Sequence, residues 1–283
     1  MFEKVLVGVD GTANGRSAIA LAAQLLDPAG QLTLAHVHPG SVAEQTDASR
    51  ELLERERAAA GVNAELVSVI APSPGRGLHT QAEEQAVGLL VVGSSSRGLL
   101  GRTMLGDDTR ASLNGAPCAV AIAAHGYGQP PAPILTVGVA YNGSHESEAA
   151  MDAARAIAQR HRASLHAMYV VSLPTYAFTG IIPPITGEGL ESLLVEARAL
   201  IDAHQGVEGR AVYGLAGEEL AAFGDQLDLL VVGSRSYGPW QRLVLGSTSN
   251  YLQRHARCSL LVLPRASSAV TSSSDVGRKS PYQ

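Results

Sequence analysis

The chain has no long hydrophobic run: its valine- and leucine-rich stretches stop after five or six residues, far short of the roughly 20 needed to cross a bilayer. A helical membrane protein is excluded on that ground. Met1 leads almost at once into the apolar run Val5 to Val9, which leaves no room for a charged leader ahead of a long apolar core. A cytoplasmic protein without a membrane partner is therefore expected. Excess positive charge is also missing, with 21 Lys and Arg against 26 Asp and Glu and a formal charge of −5. Without a cationic footprint to hold a phosphate backbone, neither DNA nor RNA is an expected partner.

Cysteine is scarce. Cys118 and Cys258 cannot make a disulfide framework, and because they fall at equivalent positions of the repeat described next, buried free thiols are expected. No Cys or His cluster has zinc spacing, and no metal site is expected. His36 and His38 are expected to point to opposite faces of one strand, which would keep them from sharing an ion. The G-x-x-x-x-G-K-[ST] phosphate loop and the G-x-S-x-G nucleophile elbow are both missing. Ser94 to Ser96 and Ser234 to Ser236 have no His or acid placed beside them by the sequence, so serine catalysis is not expected.

What is present is a duplication. The 283 residues, 46% hydrophobic and 17% charged, suit two ordinary globular domains. Residues 88–118 lie over 228–258 without a gap, at a constant offset of 140. Leu89/Leu229, Val92/Val232, Gly93/Gly233, Arg102/Arg242, Gly106/Gly246 and Cys118/Cys258 all match. Upstream, Asp10-Gly11-Thr12 stands opposite Asn142-Gly143-Ser144 at an offset of 132, so the second copy has gained about eight residues, placed here in Leu173 to Gly189. The expected domains are residues 1–125 and 134–265, with a Gly- and Pro-bearing linker at 126–133 and a serine-rich, disordered tail at 266–283.

Within each copy, short apolar runs alternate with segments of helical period, the pattern of a parallel sheet with crossover helices. Strands are expected near 4–9, 31–37, 64–70, 88–92 and 118–123, and again near 134–140, 163–170, 208–213, 228–232 and 258–263. Helices lie between them; the first, about 14–26, puts Ala18, Leu21, Ala22 and Leu25 on one face, and the second spans about 48–60. The fold class is α/β, two doubly wound parallel five-stranded sheets in tandem. Ligands of such sheets bind beyond the carboxyl ends of the strands, where the strand order reverses. There the second copy reads Gly233-Ser-Arg-Ser236, nine residues, then Gly246-Ser247-Thr248 opening a helix. Glycine admits a phosphate close to the backbone, and helix N-terminal N–H groups bind anions.

Those residues resemble the motif of universal stress proteins that bind ATP: glycine, two residues, glycine, nine residues, then glycine followed by Ser or Thr, with an Asp just after the first strand. The resemblance to a tandem member of that family covers about residues 3–125 and 132–265. It implies Rossmann-like sandwiches of the adenine-nucleotide α-hydrolase type and a stress-response protein holding ATP, ADP or AMP, with or without Mg²⁺. It also implies signalling by association, with hydrolysis absent or very slow. Carried over, Asp10 and, at its place in the second copy, Asn142 match the aspartate near the ribose and adenine, Val37 is an adenine-side contact, and Val232 is a further nucleotide-binding candidate. Gly93, Gly106, Gly233, Ser236, Gly246, Ser247 and Thr248 fall in the phosphate loop. In this family the last strands of two modules pair, which implies an internal pseudo-dimer of the two halves and leaves room for a homodimer.

Four departures matter. Ser96 and Ser236 replace the second glycine, Asp107 stands where Ser or Thr belongs, and Asn142 replaces aspartate. Asp107 and Asp108 would repel a triphosphate, so the second half is expected to hold the stronger site. Two plainer readings stay open. Gly246-Ser247 and Gly106-Asp107 are also ordinary helix caps, and Asp10-Gly11 is an ordinary turn pair. The alternative function is a nucleotide-free interaction protein acting through its dimer surfaces.

Overall fold

The computed structural model describes residues 1–40, 43–94, 114–128, 133–172, 187–234, 243 and 246–264. The expected insertion segment up to residue 186, the tail, Ser96, Ser236, Gly106 and Asp107 lie outside the described residues. The first half contributes β1 (Phe2–Gly8), α1 (Ala13–Leu25), β2 (Leu26–His38), α2 (Ala43–Ala60), β3 (Glu65–Ile70), α3 (Pro74–Glu84), β4 (Leu89–Gly93) and β5 (Ala119–Ala123). The second contributes β6 (Thr136–Ala140), α4 (His145–His161), β7 (Ser164–Val171), α5 (Gly187–Asp202), β8 (Glu208–Tyr213), α6 (Ala216–Gly224), β9 (Leu229–Gly233), α7 (Ser247–His255) and β10 (Ser259–Leu263).

The strand order is β3-β2-β1-β4-β5-β10-β9-β6-β7-β8 in one continuous sheet. Each half is parallel within itself, and the halves join where β5 pairs antiparallel with β10, Ile122 opposite Leu260 and Val120 opposite Val262. The last-strand pairing that the resemblance implies is present, and it joins the two expected five-stranded sheets into one of ten strands. The physical reason is the apolarity of the last strands. Val120, Ala121, Ile122, Leu260, Leu261 and Val262 are all at most 1% exposed, and unpaired they would be an apolar open edge. Burying each large side chain contributes roughly 1.5–3 kcal/mol. Ser259 Oγ adds a bond across the seam from the Ala124 N–H at 3.2 Å. Farther along, Gly115 donates to the Leu243 carbonyl and Leu243 to that of Ala116, at 3.0 and 2.9 Å.

Helices cover both faces. Ala18, Leu21, Ala22 and Leu25 of α1 are fully buried, as their spacing requires, and share one core with Leu53 of α2, Met151 of α4 and Ile201 of α5. Leu78 of α3, Leu220 of α6 and Leu252 of α7 build the other core, on the opposite face of the strands. α1 begins where Thr12 Oγ1 accepts from the Asn14 N–H, and α4 where Ser144 Oγ accepts from Ser147. Both are ordinary side-chain caps.

Register resolves the inserted residues. Val5 pairs with Leu32 and its counterpart Val137 with Leu165, so the offset has risen to 133 by β7. Thr33 pairs with Glu65 and its counterpart His166 with Glu208, which makes the offset 143 at β8 before it falls to 140 at β9. The net gain of eight is therefore one residue ahead of β7 and ten between β7 and β8, with three lost before β9. One expectation fails. His36 and His38 share a face of β2, with ring centroids 6.4 Å apart, because strand side chains alternate and positions two apart point the same way. They are engaged separately: His36 Nδ1 lies 2.7 Å from the Val9 carbonyl and His38 Nε2 2.9 Å from Ser68 Oγ.

Candidate functional site

In the second half the strand order reverses between β6 and β9. A cavity of about 670 Å³ opens there, at the carboxyl ends of β6, β7 and β9 and the N-terminus of α7. Asn142, Val232, Gly233, Gly246 and Thr248 all line it. Ser247 is the first residue of α7, exposed beside these. In the first half, Asp10, Val37 and Gly93 take the matching places after β1, on β2 and at the end of β4. Because β5 and β10 run antiparallel, the two sets of strand ends open on opposite sides of the molecule.

The N-terminus of α7 lies at the cavity. Gly246 caps it at φ −74° and ψ 171°, and the Asn250 N–H is bonded back to the Gly246 carbonyl at 2.9 Å. The N–H groups ahead of Asn250 precede the intrahelical ladder and aim toward the cap. That φ is accessible to any residue, so no backbone strain calls for glycine.

The other glycines are explained differently. A β-carbon on Gly233 would lie 2.7 Å from the Glu146 carbonyl, and one on Gly93 would lie 2.3 Å from that of Asn14. Close approach of the α4 and α1 backbones to the strand ends requires glycine at both positions, whatever binds beyond them.

Asp10 and Asn142 build the strand-to-helix turn. Asp10 Oδ1 accepts from the Thr12 N–H at 3.0 Å and the Thr12 hydroxyl at 2.7 Å. Asn142 Oδ1 accepts from the Ser144 N–H at 3.1 Å. Gly11 and Gly143 between them both take φ +74°, a left-handed conformation that glycine adopts without strain. An acceptor oxygen suffices for the turn, so aspartate and asparagine serve equally there.

Sequence reasoning missed part of the lining. Val170 is the register counterpart of Val37 and lines the cavity; a constant offset of 132 would have pointed to Tyr169 instead. Tyr141, where the first half has Val9, donates its hydroxyl to Glu148 Oε1 and lies 3.0 Å from His204 Nε2. Burial, then the Glu148 hydrogen bond and charge, push the Tyr141 phenol up to about 12. The ring is thus a neutral, anchored wall at neutral pH. Glu146 and Glu196 also line the cavity, and no Lys or Arg is among its described lining residues.

Elsewhere, Cys118 and Cys258 are buried free thiols, and burial pushes both up to about 12. Among the described residues no three His, Cys, Asp or Glu gather to hold a metal, and no helix is long and apolar enough to cross a membrane.

A doubly wound α/β half repeated in tandem, with a cavity at the switch point of the second copy, defines a tandem α/β class of protein. The Universal stress protein family profile matches residues 1–124 and again 134–264, and the chain belongs to that family. Its architecture is similar to a universal stress protein from Archaeoglobus fulgidus DSM 4304, at 17% identity and TM-score 0.69, covering 93% of this chain and 99% of that one. It is also similar to a putative universal stress protein from Pseudomonas aeruginosa UCBPP-PA14, at 18% identity and TM-score 0.64, covering 93% of each chain.

Proposed function

We propose that the protein is a cytoplasmic adenine-nucleotide-binding module whose ligand sits in the second half and alters association with partners. The observation that carries this reading is the convergence of Asn142, Val232, Gly233, Gly246 and Thr248 on one cavity. Its volume of about 670 Å³ falls within the usual range for ligand pockets. In this reading Val170 and Val232 flank the base, and the N–H groups at Gly246 to Thr248 meet the phosphates. Glu146 and Glu196 oppose a highly charged phosphate tail, so AMP binds without help and ATP binds better with Mg²⁺. The carboxylates and Asn142 are hard oxygen donors suited to that ion, which keeps several waters and is held largely through the phosphates.

Isothermal titration of AMP, ADP and ATP, each with and without Mg²⁺, tests this on the wild type and Ser247→Asp. The aspartate places a negative charge beside the phosphate position and should weaken binding; equal binding by both proteins removes the phosphate argument. A second reading has its own support, because packing alone accounts for Gly93 and Gly233. In it the protein acts only through its interaction surfaces and shows no thermal shift with any adenine nucleotide.

A further inference from the structure

Between α1 and the end of α4 lies a second cavity, of about 630 Å³, which brings the two halves together at the Tyr127–Gly128 turn. Two differences between the repeats create it. α1 ends at Leu25, because Asp27 precedes Pro28 and a residue before proline disfavours the helical region. Its counterpart α4 continues past the equivalent Ile157 for one more turn, to His161. That extra turn forms one wall of the cleft, and His161 Nε2 ties it to α1 at 3.0 Å from the Gln24 carbonyl. The second difference is on α1 itself. Ala20 and Ala23 line the cleft, whereas their counterparts in α4 are Asp152 and Arg155, an ion pair at 3.8 Å. Alanine leaves open the volume that the charged pair takes in the other repeat.

The lining has two chemical parts. Ala20, Ala23 and Val62 give an apolar wall. Cations stand around it. Arg16 is already held by both carboxylate oxygens of Glu56, at 2.9 and 3.1 Å. Arg160 is exposed and makes no ion pair among the described residues. Tyr127 lines the same cleft, and its buried hydroxyl has no hydrogen-bond partner among the described residues. That hydroxyl is closed off from the cleft and feels the charge of Asp228, so the apolar wall and the cations are what the cleft offers a ligand.

We propose that this cleft binds an amphipathic monocarboxylate, an alkyl chain acid lying along Ala20, Ala23 and Val62 with its carboxylate at Arg160. Among the described residues of the cleft one arginine is left without a carboxylate, which matches a single negative charge, and an apolar wall of small residues matches an unbranched chain rather than a sugar or a peptide. The ligand touches both halves and so also stabilises their junction.

Dodecanoate titration of the full chain tests this, with 1-dodecanol as the uncharged control. The expected result is saturable binding of one dodecanoate per chain that raises the unfolding temperature and persists in saturating AMP. Ala23→Trp fills the cleft from an exposed helix position and should lower dodecanoate affinity at least about tenfold. Arg160→Glu should lower it by a similar factor while leaving dodecanol binding unchanged. Absence of saturable binding, indifference to Ala23→Trp, equal loss of dodecanol binding in Arg160→Glu, or displacement by AMP would each overturn the proposal. Displacement would move the ligand to the other cavity. Failure here leaves the nucleotide titrations untouched.

Discussion

Gly233 sits so close to Glu146 that a single added methyl would lie 2.7 Å from the Glu146 carbonyl oxygen. Gly93 stands in the same relation to Asn14 in the other repeat. Backbone cannot yield as a flexible side chain can, so Gly233→Ala must push α4 away from the end of β9. Overpacking of this kind costs about 1–3 kcal/mol. Urea denaturation without nucleotide should show that loss for Gly233→Ala and for Gly93→Ala. An unchanged midpoint would mean that the helix gives way freely and that glycine serves a ligand instead.

The β5–β10 seam should dominate cohesion of the halves. Leu260 is 1% exposed and lies opposite Ile122. Leu260→Ala removes buried methyl groups and leaves a cavity, at a cost of about 2–5 kcal/mol. The expected outcome is a single lowered unfolding transition. If only one half melts early, the seam does not couple them.

Asn142 already accepts a turn hydrogen bond with Oδ1, so Asn142→Asp keeps the turn. It adds a charged acceptor where the first half has Asp10. A hydrogen bond to a charged group is worth about 1 kcal/mol more than a neutral one, so calorimetry should find adenosine or AMP bound about fivefold more tightly, with unchanged thermal stability. Weaker binding by this variant would place the ribose elsewhere.

Both cysteines should be inert in the native protein. Burial raises each thiol to about 12, against about 8.5 for a free thiol, so the reactive thiolate is suppressed at neutral pH. An aromatic disulfide reagent should label both only after unfolding. The same shift has a consequence for stability: the unfolded thiols ionise first, so stability present below about pH 8.5 falls as the pH rises toward 12. Replacing both residues with alanine should flatten that alkaline slope, which pH-dependent urea unfolding measures.

Much of the fold was legible because its signals are local. Runs such as Leu89–Gly93 and Leu229–Gly233 are short, valine-rich and bounded by turn residues, which favours buried parallel strands over helix, and every expected strand is found within a few residues. Leu26–Gly30 was missed as part of β2 because Asp27, Pro28 and Gly30 read as a turn; in the fold Phe2 pairs with Leu26 and the register then shifts. α2 starts at Ala43, five residues before the expected start at 48, since Glu44 to Asp47 carry no apolar period. At the site, Gly246 and Asn142 were visible through spacing, whereas Val170 was not. A single residue gained ahead of β7 shifts its alignment, and only hydrogen-bonded register reveals that.

Sequence alone determined the repeat, the strand-helix alternation and the differing residues at matching positions, Asp10 against Asn142 and Asp107 against Ser247, because each rests on residue identity at a fixed spacing. Tertiary structure decided three further matters. It fixed the antiparallel register of the implied β5–β10 pairing, Ile122 opposite Leu260, by which apolar last strands bury their edges against each other. It assigned Gly93 and Gly233 to helix packing, because a carbonyl from a distant segment occupies the space of their side chains. It opened a cleft between α1 and α4, because one repeat ends its helix before a proline and the other runs a turn farther. Each depends on groups remote in sequence meeting in space.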